Sequence, residues 1–251
     1  MKALAASLGD PAGIGPELLC EAWAARQDAM LAPFFVVGGE HLLAAAAARR
    51  GVDTPIVPIA DPADAADAFA QGLPVLGNED GEYFPGEPNS DGARLALASL
   101  TRAAALAVEG KAAGIVTGPI SKALLAEVGF TFPGQTEFVA DACRVAAEDA
   151  VMMLAGPQLR TVPLTVHCAL AEVPGRLSTD LIVRRGRIVA SALARDFGLD
   201  RPRLAFAALN PHAGEGGKFG DEEPRIIAPA IEALRAEGIL ATGPHPADAM
   251  L

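Results

Sequence analysis

The sequence predicts an α/β protein built on a mainly parallel sheet with helices on both faces. Three observations lead there. Short apolar runs alternate with longer helix-like stretches along most of the chain. Apolar residues make up 51%, yet ten Phe, one Trp and one Tyr are the only aromatics, so the bulk is Ala, Leu and Val, which suits helices packed on a buried sheet. And 251 residues are enough for one large domain or two lobes with a real core.

The elements follow in order. ALAASL (3–8) reads as a first strand. GPELLCEAWAARQDAM (15–30) reads as a helix, with Pro16 in its first turn and Glu17 beside it, both favourable at an N-terminus. FFVVGG (34–39) is a short buried strand, EHLLAAAAARRG (40–51) a helix closed by a glycine, and TPIVPI (54–59) another strand. Residues 71–92, rich in Gly, Pro, Asn and Asp, predict a long surface excursion. A helix over 92–109, a strand over 112–118 and a helix over 120–129 follow. FTFPGQT (130–136) is the expected boundary, dividing a first lobe, 1–134, from a second, 135–251. There, 146–156 and 159–170 read as strands, a candidate hairpin, then 178–198 as a helix, 203–210 as a strand and 222–238 as a helix.

Net charge is −11, which argues against nucleic acid as a partner, since phosphate backbones need basic surface. A small anion in a local pocket stays compatible with that charge. No apolar run approaches the ~20 residues of a membrane span. The N-terminal MKALAASLGDPAG is too short an apolar stretch for a signal peptide and runs into a Gly/Pro loop. Cys20, Cys143 and Cys168 form no C-x-x-C pair, so reduced thiols in a cytoplasmic protein are expected.

Four polar motifs share one predicted position, the loop leaving the C-terminal end of a strand: GDPAGIGPE (9–17), TGPISK (117–122), VHC (166–168) and NPHAGEGG (210–217). In a parallel sheet such ends lie along one edge, where open α/β folds keep their chemistry. The first motif is neither G-x-G-x-x-G nor a Walker A loop; it is either an anion site at a helix N-terminus or a tight turn with packing glycines. Lys122 either counters a phosphate or carboxylate or is a solvated helix-start lysine. His167, within an apolar run, is more often a satisfied core residue than a ligand. A thiol–imidazole pair with Cys168 is set aside because neighbours on a strand face opposite ways. His212 sits on a pliable glycine loop; two strand-end histidines with a carboxylate, of which Asp10, Glu215 and Asp248 are candidates, would suit a divalent metal. GDEEP (220–224) has a sufficient bland reading as acidic residues and Pro opening a helix.

Taken together and in order, GDPAGIGPE, VTGPISKALLAEVGFTFPGQTEFVAD, MMLAGPQLR, TVHCAL, LNPHAGEGGKFGDEE and GPHPADAML resemble the 4-hydroxythreonine-4-phosphate dehydrogenase family of vitamin B6 synthesis. The likeness spans nearly the whole chain. It implies a two-lobed, three-layer α/β/α fold like that of isocitrate and isopropylmalate dehydrogenases, and a homodimer with its sites at the interface. It implies oxidation of a small phosphorylated substrate by NAD or NADP, with a divalent metal (Zn, Co, Mg, Mn or Ni). The secondary alcohol of 4-phosphohydroxy-L-threonine becomes a 3-oxo acid that loses CO2 to give 3-amino-2-oxopropyl phosphate. His167 and His212 match metal ligands, and Asp248 matches an acid near the metal. Thr136 matches a substrate contact. Lys122 and Asp248 are the expected catalytic residues, and no dinucleotide-binding residue is assigned. The family reads Gly-His-Thr-Glu-Phe where this chain has Gln135, an amide that cannot become cationic beside a phosphate. Family members also continue past PAD into a Tyr-His-Asp-Gln segment carrying a third metal-ligating histidine, then a Lys, an Asn and an Arg that grip substrate; His245 does not match that ligand. The resemblance therefore implies a chain short of its C-terminal segment, an incomplete sheet and, alone, a poor catalyst. Two alternatives stand beside it: a dehydrogenase of threonate or erythronate 4-phosphate, and a non-catalytic short paralogue that binds a phosphorylated ligand.

Overall fold

The computed structural model describes residues 2–250. The chain divides into two compact units, Met1–Val145 and Ala146–Leu251.

The first unit runs β1 (Leu4–Ser7), α1 (Gly15–Ala24), β2 (Phe34–Val37), α2 (Glu40–Arg50), β3 (Ile56–Ile59), α3 (Ala65–Ala68), β4 (Leu73–Leu76), α4 (Ser90–Val108), β5 (Ile115–Val116), α5 (Lys122–Glu127) and α6 (Gln135–Ala142). Its five strands form one parallel sheet in the order β3-β4-β2-β1-β5. The period of two along each strand builds the layers. Phe34 and Val36 of β2 join Ala6, Leu73 and Val75 on one face, against Trp23 of α1 and Leu42 and Leu43 of α2. Phe35 and Val37 turn the other way, with Ala5 and Leu76, against Ala65 of α3 and Ala103 and Leu106 of α4. Helices thus cover both faces, as the strand–helix alternation predicts.

Two expectations are corrected here. Residues 71–92 are not all surface loop: Leu73–Leu76 form β4, an interior strand buried along its length between β3 and β2. Pro74 and the short run hide it in the sequence, and burial of Leu73 and Val75 overrides the proline's aversion to interior strands. FTFPGQT is not a linker either. Phe130, Phe132 and Phe138 stack with ring centroids 5.4–5.8 Å apart, which keeps α6 in the first unit, so the division falls at 145/146 and not at 134/135.

The second unit runs β6 (Leu154–Ala155), β7 (Arg160–Thr161), α7 (Val173–Arg176), α8 (Thr179–Phe197), β8 (Arg203–Ala207), α9 (Ala228–Ala236) and β9 (Leu240–His245). The two long strands expected over 146–170 shrink to the antiparallel β6–β7 pair; 162–169 has no regular structure. β8 and β9 pair in parallel. Their core is Ile182 and Val183 of α8 with Ala230, Ile231 and Leu234 of α9. Ser178 caps α8 by accepting the Leu181 amide at 3.1 Å, and Gly198 closes it at φ 66°. Among the described residues, no helix is long and apolar enough to cross a membrane.

Candidate functional site

β1 and β5 are neighbouring parallel strands, so the loops leaving them, GDPAGIGPE and TGPISK, lie side by side. Their backbones touch. Asp10 N–H donates to the Pro119 carbonyl at 2.8 Å, and Gly118 N–H donates to Ser7 Oγ at 3.1 Å. A Cβ on Gly9, at φ +75°, would stand 2.7 Å from the Pro119 oxygen, and one on Gly15 would stand 2.8 Å from the Leu8 oxygen. Gly9 and Gly15 are there for close packing, as the tight-turn reading of the motif expects. Beneath the loops, the buried Ser99 of α4 donates to the Val37 carbonyl at 2.7 Å and accepts the Leu8 amide at 2.9 Å, tying the ends of β1 and β2 to α4.

Sequence reasoning missed a strap over these loops. Gly86 N–H donates to the Ala12 carbonyl at 2.8 Å, and Tyr83, the single tyrosine, donates its hydroxyl to Glu17 Oε1 at 2.5 Å. Burial and that bond push the Tyr83 hydroxyl up to about 12. Just before Tyr83, Asp80 accepts the amide of His41 at 2.7 Å and that of Leu42 at 3.3 Å, capping α2 from a distance. The signal, a lone Tyr amid Glu and Gly, reads in sequence as solvated loop.

The second motif leads to α6. Gln135, half-buried, donates its side-chain amide to the Gly118 carbonyl at 3.0 Å, and Thr136 is exposed beside it in the first turn. Lys122 opens α5 and is exposed; its Nζ lies 3.6 Å from where a Cβ on Gly134, the N-cap of α6, would be. The structure therefore brings Lys122, Gln135 and the start of α6 together within the first unit. A cation next to the positive end of a helix is unfavourable unless an anion sits with them.

In the second unit, NPHAGEGG forms a turn of unusual hand. His212, Ala213, Gly214, Glu215 and Gly216 follow one another at φ 51°, 54°, 77°, 43° and 68°. Three of these five are not glycine, and each such residue in the left-handed region costs ~1–2 kcal/mol. Glu223 holds the turn. It is 3% exposed and accepts the amides of Leu209 at 3.0 Å and Asn210 at 2.8 Å. Burial pushes its carboxyl up, and the hydrogen bonds from Asn210 and Leu209 outweigh that, leaving it below the ordinary carboxylate value. Reading GDEEP only as a helix opening overlooked this carboxylate.

The turn presents His212 with its Nδ1 3.5 Å from Asp248 Oδ2, both side chains mostly exposed. His167 does not sit at a strand end; it is exposed at φ 51° in the irregular 162–169 stretch, so the argument from alternating strand faces does not apply to His167 and Cys168. Among the described residues no group of three His, Cys, Asp or Glu side chains is placed to hold a metal ion, so His167 does not join the His212–Asp248 pair. Glu215 lies 3.8 Å from Lys218, and His245 pairs with Thr242 at 3.1 Å.

Residues 30–251 match the family described as pyridoxal phosphate biosynthetic protein PdxA. The chain is 62% identical over 247 residues to 4-hydroxythreonine-4-phosphate dehydrogenase of Erythrobacter litoralis, covering 98% of this chain and 74% of that protein. It is 49% identical to the Zymomonas mobilis enzyme of the same name, covering 100% of this chain and 73% of the relative. The crystal structure of 4-hydroxythreonine-4-phosphate dehydrogenase from Klebsiella pneumoniae superposes with a TM-score of 0.85 at 35% identity, over 100% of this chain and 77% of that one.

Proposed function

Because this chain belongs to the PdxA family of pyridoxal phosphate biosynthetic proteins, we propose that it is an NAD- or NADP-dependent dehydrogenase of 4-phosphohydroxy-L-threonine. The observation that carries this reading is the Lys122 ammonium beside the start of α6, with Gln135 and Thr136 in the first turn. Unsatisfied helix amides, a lysine and a hydroxyl make a receptor for an anionic group such as a phosphate or carboxylate. Lys122 neutralises that group, and Gln135, held by Gly118, and Thr136 orient it. The dinucleotide supplies the hydride acceptor. Asp248 takes the role of acid–base residue, with the His212 imidazole as its neighbour 3.5 Å away. The 3-oxo acid so formed loses CO2, giving 3-amino-2-oxopropyl phosphate.

The metal is a separate matter. The family resemblance points to His167 and His212 as ligands of Zn, Co, Mg, Mn or Ni, and an imidazole beside a carboxylate is suitable chemistry for such an ion. Among the described residues these side chains do not gather into a closed ligand set. A cytoplasmic homodimer completes the reading; its support is the three free cysteines and the family resemblance.

Steady-state NADH formation from 4-phosphohydroxy-L-threonine tests the reading. Turnover, even slow, supports it, and Lys122→Met should raise KM for the phosphorylated substrate by about tenfold or more, the loss of one charge-assisted contact. A second reading, dehydrogenation of threonate or erythronate 4-phosphate, draws on Gln135. Turnover of those acids but not of the amino acid would favour it. Binding of phosphorylated ligands without any turnover would favour a non-catalytic paralogue.

A further inference from the structure

Glu137 is the third residue of α6, and its Oε2 is sealed from solvent without a hydrogen-bond partner. A glutamate at this position commonly reaches back to the amide of the N-cap residue. Here Oε2 takes no such bond, so helix capping leaves it unexplained. A buried carboxylate oxygen is not left bare without a donor to meet it. The nearest feature is a gap. A Cβ built on Gly134 would stand 3.1 Å from Glu137 Oε2 and 3.6 Å from Lys122 Nζ. Carboxylate and ammonium thus border the same small space, kept open because residue 134 has no side chain. Gly134 is not needed there for its backbone: its φ of −167° is open to any residue.

We propose that Glu137 is a positioning residue for Lys122, drawing the ammonium toward the start of α6 through the gap at Gly134 and so aiming it at the substrate's anionic group. The proposal deepens the reading of Lys122 given above and rests on it for the second half of its test. The physical need is plain. The positive end of α6 repels an ammonium, and a negative charge in its first turn, with one oxygen sealed from solvent, offsets that repulsion. Without Glu137, Lys122 has the freedom of a surface lysine and meets the substrate in many orientations.

The chain has only four lysines, so reductive 13C-methylation, which keeps the charge, gives a resolvable set of side-chain NMR signals. Lys122→Arg assigns the signal of interest. Glu137→Gln should move the Lys122 signal and leave those of Lys2, Lys111 and Lys218 in place. Gly134→Ala, which fills the gap without straining the backbone, should move the same signal. In kinetics, Glu137→Gln should raise KM for the phosphorylated substrate by about tenfold, with kcat and the KM for dinucleotide within about twofold; Glu137→Asp should recover part of the loss. An unmoved Lys122 signal in Glu137→Gln overturns the proposal. So does displacement of all four signals with a lowered melting temperature, which marks a structural role alone. A Lys122 signal that moves in a chain turning over no substrate supports the positioning while the dehydrogenase reading fails.

Discussion

Taking the charge from Glu223 should release the turn that carries His212. The carboxylate titrates below its ordinary value in the folded chain. Its contribution is therefore whole above the unfolded-state value and is lost as pH falls through the lower, folded one. Glu223→Gln keeps the shape but turns an NH2 toward amide donors; at neutral pH it should cost about 1–3 kcal/mol in urea melts. The difference from the parent should shrink as pH falls from the ordinary carboxylate range through the lower, folded value, where the parent loses the same charge. A constant difference across that range would mean that the charge is not what holds the turn. At this scale, the sequence singled out His212 and its glycines, because a histidine on a flexible loop is conspicuous. It hid Glu223, since only the folded chain distinguishes a buried carboxylate from its exposed neighbour Asp221 and half-buried neighbour Glu222. The apolar run 159–170 reads as a strand and so puts His167 at its end; in the fold the same residues pack irregularly, Leu164 against the α8–α9 core.

Two elements invite direct tests. Ser99→Ala leaves the Leu8 amide and Val37 carbonyl without their partner in a buried site, and should cost about 1–3 kcal/mol by denaturant unfolding. Gly186, inside α8, looks improvable, because Ala is favoured over Gly in a helix by ~1 kcal/mol. Yet a Cβ there would stand 2.7 Å from Leu234 Cδ1, and Leu234 is fully buried. Overpacking of ~1–3 kcal/mol should win, so Gly186→Ala destabilises. Leu234→Ala in the same chain should relieve it, giving a double-mutant total below the sum; strict additivity would show that the two helices do not meet there. Element identity was most legible where burial pattern and end signals agreed, as in α2 with its Gly51 terminus and in β2. β4 was lost because Pro74 reads as loop, and α6 because FTFPG reads as a hinge; in both, contacts distant in sequence decide.

For the molecule as a whole, charge and sheet edges pull in opposite directions. A net charge of −11 keeps copies apart, while β8 and β9 form a two-stranded sheet that pairs with no other strand among the described residues. A pair of strands is marginal by itself, and open edges are templates for further pairing. Self-association is therefore expected in sedimentation velocity, tightening with added salt as the mutual repulsion is screened over ~8 Å at physiological strength. A monomer at all salt concentrations would count against it. If the copies do pair, those unpaired edges make stability a property of concentration. The melting temperature of the second unit would climb with each tenfold increase in protein, by mass action, while the first unit, with its sheet covered on both faces, would stay where it is. Dilution would then act on half of this chain as a denaturant does.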